Sequence, residues 1–318
     1  MRGLLWIVVW VWLAGIGAAH AADTIITLPA AELEARLQSA PFVIEAAAPA
    51  RGIAEDVALK SDVRFEDGAT LRIKIRPAAP GGTEFNNEPR YELAAYLLQQ
   101  LFLDEADHVV PPTALRMLPR ALLLPYAPRL RATFRGADEV LVVLQYWLRN
   151  VSGPKDLWNA QRFASDPAYA RHIANLNVLT HLIRHGDSNA GNMMLSTVAD
   201  NPRAFAVDNG VAFESPGSNR GDAWREIRVP KLPAATVERL RAIDFKALER
   251  LLAVVATWQL RAQHFEPVAG APRMPGDKGV RLRADRMQLG LTRREIQEVD
   301  RRRRLLLKRV DRGEIGTF

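Results

Sequence analysis
His185-Gly-Asp187-Ser-Asn-Ala-Gly-Asn192-Met-Met-Leu195, followed by Phe205-Ala-Val-Asp208-Asn-Gly210, is the most informative stretch of this 318-residue chain. It has the form H-x-D-x4-N, and 16 residues beyond the asparagine an apolar run closes in D-x-G. Glycines and polar residues make His185–Asn192 a loop, which leads into a short strand at Met193–Leu195. Ala204–Val207 is a second short strand ending at Asp208. As neighbours in one hairpin, the two strands bring Asn192 and Asp208 to one cleft. The residue types match what phosphoryl transfer from ATP requires. A carboxylate orients or deprotonates the acceptor hydroxyl, and hard oxygen groups serve Mg²⁺, which takes few protein ligands. Asp187 fits the first role, and Asn192 and Asp208 fit the second. Each also has a plainer reading, Asp187 as a loop cap and Asp208 as the cap of a turn with Asn209-Gly210.

Toward the N-terminus the chain is strand-rich. Pro41–Ala48 and Val57–Phe65 read as strands, Asp67-Gly68 is a hairpin signal, and Thr70–Arg76 is the returning strand. There Leu71, Ile73 and Ile75 alternate with Arg72, Lys74 and Arg76, so one face is apolar and the other carries three cations. Tyr91–Phe102 is a helix with a broad apolar face, and Val109–Thr113 starts an extended run closed by Pro111-Pro112. Val140–Leu148 is a continuous apolar strand, placed centrally. The second half is helical. Asp166-Pro167 caps a helix running to about Ile183, and helices are expected at Ala234–Ala242 and Phe245–Gln263. This order suggests two lobes with a cleft between them. A cation for the nucleotide phosphates is then supplied by Lys74, paired with Glu92 on the Tyr91–Phe102 helix. Arg76, two residues along the same strand face, competes with Lys74 for that role. His185 orients the loop, whereas His172 and His181 read as packing residues. The polar run Phe85-Asn-Asn-Glu-Pro-Arg90 is expected near the phosphates, and Tyr146 and Trp147 end the central strand, either where a nucleotide would be gripped or as core packing.

Strand lysine, helix glutamate, loop Asp and Asn, then D-x-G is an order that resembles the protein-kinase-like superfamily, from about Pro41 to Gln263. Two branches fit. His185-Gly-Asp187 with Asn192 resembles the H-G-D-x4-N loop of aminoglycoside and choline phosphotransferases. Glu92-Leu-Ala-Ala-Tyr96, Val110-Pro-Pro-Thr113 and Asp208-Asn-Gly-Val-Ala-Phe213 resemble phosphatidylinositol 3-/4-kinase-like domains and the secretory-pathway kinases of the Golgi casein kinase type. The chain departs from the latter in lacking the Arg and His of their D-R-H-x-x-N loop. No G-x-G-x-x-G is present either, which leaves the Pro49–Glu55 turn with Gly52 to cover the phosphates. The resemblance implies an α+β, bilobal protein-kinase-like fold with a sheet-rich N-lobe and a helical C-lobe. It implies ATP and Mg²⁺ as cofactors, Asp187 as catalytic base, Lys74 and Glu92 at the nucleotide, and Asn192 and Asp208 at the metal. On this basis 22–148 is the N-lobe and 149–265 the C-lobe, followed by a 266–280 linker and a basic helical segment at 281–318.

Composition narrows the class. An apolar content of 48% suits a globular chain, and no cysteine rules out thiolate metal sites and a cysteine nucleophile. No H-E-x-x-H or G-x-S-x-G appears, so metal-dependent and serine hydrolysis have no support. Gly3–Ala19 is uncharged behind Arg2, and Ala19-His20-Ala21 resembles a cleavage site, so residues 1–21 read as a secretory signal or an uncleaved anchor. Export to the periplasm, or anchoring on the outer side of the cytoplasmic membrane, follows. The whole net charge of +7 falls within Arg281–Arg312, where Thr292-Arg-Arg-Glu295 fits a capping box. That segment reads as a helix packed on the body through Ile296, Val299, Leu306 and Val310, or as a contact for an anionic membrane surface. It carries no aromatics for base stacking, so no specific nucleic acid is expected. Three activities remain open: a kinase acting on a protein or lipid hydroxyl, a catalytically inactive nucleotide- or partner-binding module, and a small-molecule phosphotransferase.

Overall fold
Asp67-Gly68 sets the first sheet. Asp67 Oδ1 accepts the Ala69 amide at 3.0 Å, and Gly68 takes φ of +82°, a conformation that disfavours a β-carbon. The computed structural model describes residues 24–50, 58–154, 156–215, 217 and 220–318. Residues 1–21, read as a signal or anchor, and most of the Pro49–Glu55 turn lie outside the described residues. In chain order come α1 (Ala30–Gln38), β1 (Phe42–Pro49), β2 (Leu59–Phe65), β3 (Thr70–Pro77), α2 (Pro89–Gln99), β4 (Thr113–Pro119), α3 (Arg120–Leu123) and β5 (Glu139–Tyr146). The five strands form one antiparallel sheet in the order β1-β2-β3-β5-β4. All eight residues of β5 are buried because both faces of the sheet are covered. Val140, Val142 and Leu144 join Ile73, Ile75 and the α1 leucines Leu33 and Leu37 on one side. Leu141 and Val143 join Leu115, Met117 and the α2 residues Ala94 and Leu98 on the other. That double burial is why the strand reads as an unbroken apolar run.

The chain continues through β6 (Val151–Ser152), α4 (Ala160–Ser165), α5 (Pro167–Leu182), β7 (Met193–Ser196) and β8 (Ala204–Ala206). Asp166 caps α5 as expected, accepting the Tyr169 amide, with Pro167 in the first turn. The expected hairpin forms, with Met193 opposite Ala206, in a three-stranded sheet β6-β7-β8. Then follow β9 (Lys231–Leu232), α6 (Ala234–Ala242), α7 (Phe245–Leu252), β10 (Ala256–Arg261), β11 (His264–Pro267), β12 (Val280–Leu282), β13 (Arg286–Leu289), α8 (Arg293–Asp311) and β14 (Gly316–Thr317). The architecture is therefore mixed α+β, as expected, and is built largely on antiparallel sheets.

Three local expectations need correction. The helix expected over Phe245–Gln263 ends at Leu252, and β10 begins at Ala256. The β-branched residues Val254, Val255 and Thr257 favour extended chain, and Ala262 and Gln263, both at positive φ, turn β10 back onto β11. The run Val109–Thr113 is irregular until Thr113, where β4 starts; the Gln99 side chain takes the place of a strand partner, accepting the Val109 and Val110 amides at 2.8 Å. The basic segment is not helical from its start. Its first residues form β12 and β13, which complete a four-stranded sheet β11-β10-β13-β12 that also draws in Glu266 and Pro267 of the expected linker. The capping box at Thr292 and Glu295 forms, and α8 buries Ile296, Val299 and Leu306.

Candidate functional site
Burial of Leu71, Ile73 and Ile75 beneath α1 forces Arg72, Lys74 and Arg76 of β3 onto the opposite face. Arg72 stays at the rim on Asp62, 2.7 Å away. Lys74 and Arg76 turn toward α2 and the β7–β8 hairpin. Glu92, in the first turn of α2, is 1% exposed beneath them. Lys74 Nζ lies 3.9 Å from both Glu92 Oε1 and Asp208 Oδ2, and donates to the Val207 carbonyl at 3.3 Å. Arg76 Nη1 bonds Asp208 Oδ1 at 2.7 Å and sits 3.8 Å from Glu92 Oε1, while its Nη2 donates to the Asn86 carbonyl. The Asn209 amide donates to Glu92 Oε2 at 3.0 Å, tying the strand end to α2. Burial pushes the Glu92 carboxyl up, to about 7; Lys74 pulls it down and Asp208 raises it further.

Asp208 follows β8 directly and Asn192 precedes β7 directly, and the Val207 amide donates to the Asn192 carbonyl at 2.9 Å. The hairpin thus sets both at one end, as its sequence implied. Asp187 is fixed from two sides. Asn192 Nδ2 donates to its Oδ2 at 2.9 Å, and Asn189 Nδ2 donates to its Oδ1 at 2.8 Å. Asn189 shapes the turn by accepting the Gly191 amide at 2.8 Å and also positions the acid. His185 joins the two halves. Its Nδ1 accepts the Asp187 amide at 3.3 Å, so its Nε2 carries the proton given to the Asp208 carbonyl at 2.8 Å. Burial lowers its pKa and keeps it neutral. His172 packs in α5 as expected, buried, with its pKa lowered to about 3.

A cavity of about 430 Å³ opens onto this cluster, lined by Lys74, Arg76, Asn86, Asn192 and Asp208, with Tyr146 and Trp147 along its wall. Asn86 belongs to the polar run expected near the phosphates. A β-carbon on Gly210 would lie 3.3 Å from the Asn86 carbonyl, a tight contact. Asp187 is not among the cavity-lining residues and is 2% exposed. The structure therefore brings Lys74, Glu92 and Asp208 together around one point, with Asn192 on the same cavity and Asp187 one side chain behind it. Two features had no sequence signal: the Arg76–Asp208 pair and the brace from Asn189. A wider, open depression of about 670 Å³ lies around Phe134 and Met287, away from this charge network.

A divalent ion here would find one amide oxygen, from Asn192, and one carboxylate, from Asp208. Among the described residues no three His, Asp or Glu side chains converge as a metal cage. So sparse a set fits Mg²⁺ when phosphate oxygens and water complete its octahedron. Neither protein-family models nor curated proteins give a match to the chain.

Proposed function
We propose that the chain is an exported, bilobal kinase-like phosphotransferase that moves the γ-phosphate of ATP to a hydroxyl of a protein or lipid. The observation that carries this reading is Lys74, held 3.9 Å from a helix carboxylate and 3.9 Å from the strand-end carboxylate at the wall of one cavity. Lys74 comes from the sheet, Glu92 from α2 and Asp208 from the hairpin, so this cluster exists only in the folded chain. In this role Lys74 holds the α/β-phosphates and Glu92 keeps its ammonium in place. At an effective dielectric near 20, a fully ionised pair at this distance attracts by roughly 4 kcal/mol before the cost of desolvating its charges. Asn192 and Asp208 would hold Mg²⁺, which supplies charge neutralisation to the phosphates when bound. Asp187 accepts or orients the hydroxyl proton of the acceptor. His185 keeps the Asp187 and Asp208 backbones in register.

Asp187 lies behind two asparagines, and this favours a second reading as a nucleotide-binding module without transfer. Radiolabel from γ-labelled ATP separates the two. The kinase reading expects transfer that Asp187→Ala and Asp208→Ala each reduce by about 10²-fold or more. Nucleotide binding with no transfer in the wild-type protein would leave only the module.

A further inference from the structure
We infer that Arg76 is a latch on Asp208, competing with a divalent cation for that carboxylate and yielding it when phosphate takes the guanidinium. The inference rests on the nucleotide cleft proposed above. Asp208 is flanked by a cation at each oxygen, Arg76 Nη1 at 2.7 Å from Oδ1 and Lys74 Nζ at 3.9 Å from Oδ2. The two cations balance the two carboxylates, Glu92 and Asp208, in a nearly buried cluster. A divalent ion added alone would meet both cations at close range and a carboxylate already bonded. Arg76 is the stronger obstacle, because its bond to Asp208 is short and charge-assisted. Its side chain lines the cavity beside Asn86 and Asn192, within reach of a group that enters there. A guanidinium presents planar paired donors that match a phosphate group as well as a carboxylate. Phosphate entering the cavity therefore draws Arg76 off Asp208 and opens that oxygen to the metal. Metal and nucleotide then strengthen each other's binding beyond their direct contact, and by linkage the effect is reciprocal.

The test is a titration with Mn²⁺, followed by electron paramagnetic resonance, on the purified protein with and without a non-hydrolysable ATP analogue. Wild type is expected to bind Mn²⁺ weakly alone. Arg76→Met is expected to bind Mn²⁺ alone at least tenfold more tightly and to gain less from the analogue. Arg76→Lys keeps the charge but loses the paired donors, and should give a smaller rise; it carries the test if the Met variant fails to fold by circular dichroism. Equal Mn²⁺ affinity in wild type and the folded Arg76 variants, with the analogue still bound, would overturn the latch and leave the cleft standing. Failure of every form to bind either Mn²⁺ or the analogue would overturn both.

Discussion
At Asp187 the side chain has no freedom to search for a substrate. Asn189 and Asn192 each hold one of its oxygens, and its own amide is tied to His185. Such bracing fixes an acid to within a fraction of an ångström, which is where much of the effect of a general base arises. On the kinase reading, Asn189→Ala is expected to lower phosphate transfer about tenfold while leaving nucleotide affinity unchanged, since Asn189 bonds to Asp187 and not to Lys74 or Arg76. Comparing transfer rate with nucleotide affinity in that variant checks the point, and equal loss in both would show a general collapse of the loop. The spacing H-x-D-x4-N made Asp187 and Asn192 legible, because a loop of fixed length leads into a strand. The alternation on β3 made Lys74 and Arg76 legible only as a pair, because both lie on one face. Their separate tasks depend on which atoms of α2 and the hairpin reach them, and that information is non-local.

Among the elements, β3, β5, α5 and the β7–β8 hairpin were readable because each carries its own signal: alternation, a continuous apolar run, a capping Asp-Pro, and a strand closed by D-x-G. The β10–β11 hairpin was not. Its turn, Ala262-Gln263, has φ of 44° and 68° but no glycine or asparagine, so no turn residue marks the reversal, and only the β-branched Val254, Val255 and Thr257 speak against helix after Leu252. Residues with a β-carbon are strained there, and Gly relieves that strain at a smaller entropic cost. Gln263→Gly is expected to raise stability by about 0.5–1 kcal/mol, read from the midpoint of urea unfolding. A lowered midpoint would mean that the turn is not the left-handed one described.

Over the whole molecule, charge was legible in total but not in use. The sequence puts its entire excess in Arg281–Arg312, yet several of those cations serve the body. Arg281 donates to the Ala253 carbonyl at 2.6 Å, Arg302 to that of Leu182 at 2.8 Å and Arg303 to that of Leu240 at 2.8 Å. The segment closes the fold, and its removal would expose core. Acid stability is a second global property. Burial lowers His108 to about 4 and His172 to about 3, against about 6.5 in an unfolded chain. Between those values the unfolded chain binds the extra protons, so their contribution is full above pH 6.5 and is lost as pH falls. Glu92, raised to about 7, works in the opposite sense between about 4.5 and 7. His181 and His185, also lowered by burial, add to these two histidines, and the raised carboxyl of Asp107 joins Glu92, so histidines outnumber carboxyls and stability is lost on acidification from about pH 6.5 to 4.5. The melting temperature should fall across that window and fall less in His172→Gln; a flat or rising profile would refute the balance. The claim on which the function depends is that Lys74, Glu92 and Asp208 form a nucleotide site, and thermal unfolding of the purified protein with and without Mg²⁺ and ATP tests it most directly. At a ligand concentration 100 times Kd, binding to the folded state alone adds about 2.7 kcal/mol. The account predicts a clear Mg²⁺-dependent rise in Tm with ATP that Lys74→Met abolishes, and an unchanged Tm in the wild-type protein at millimolar Mg²⁺ and ATP would contradict it.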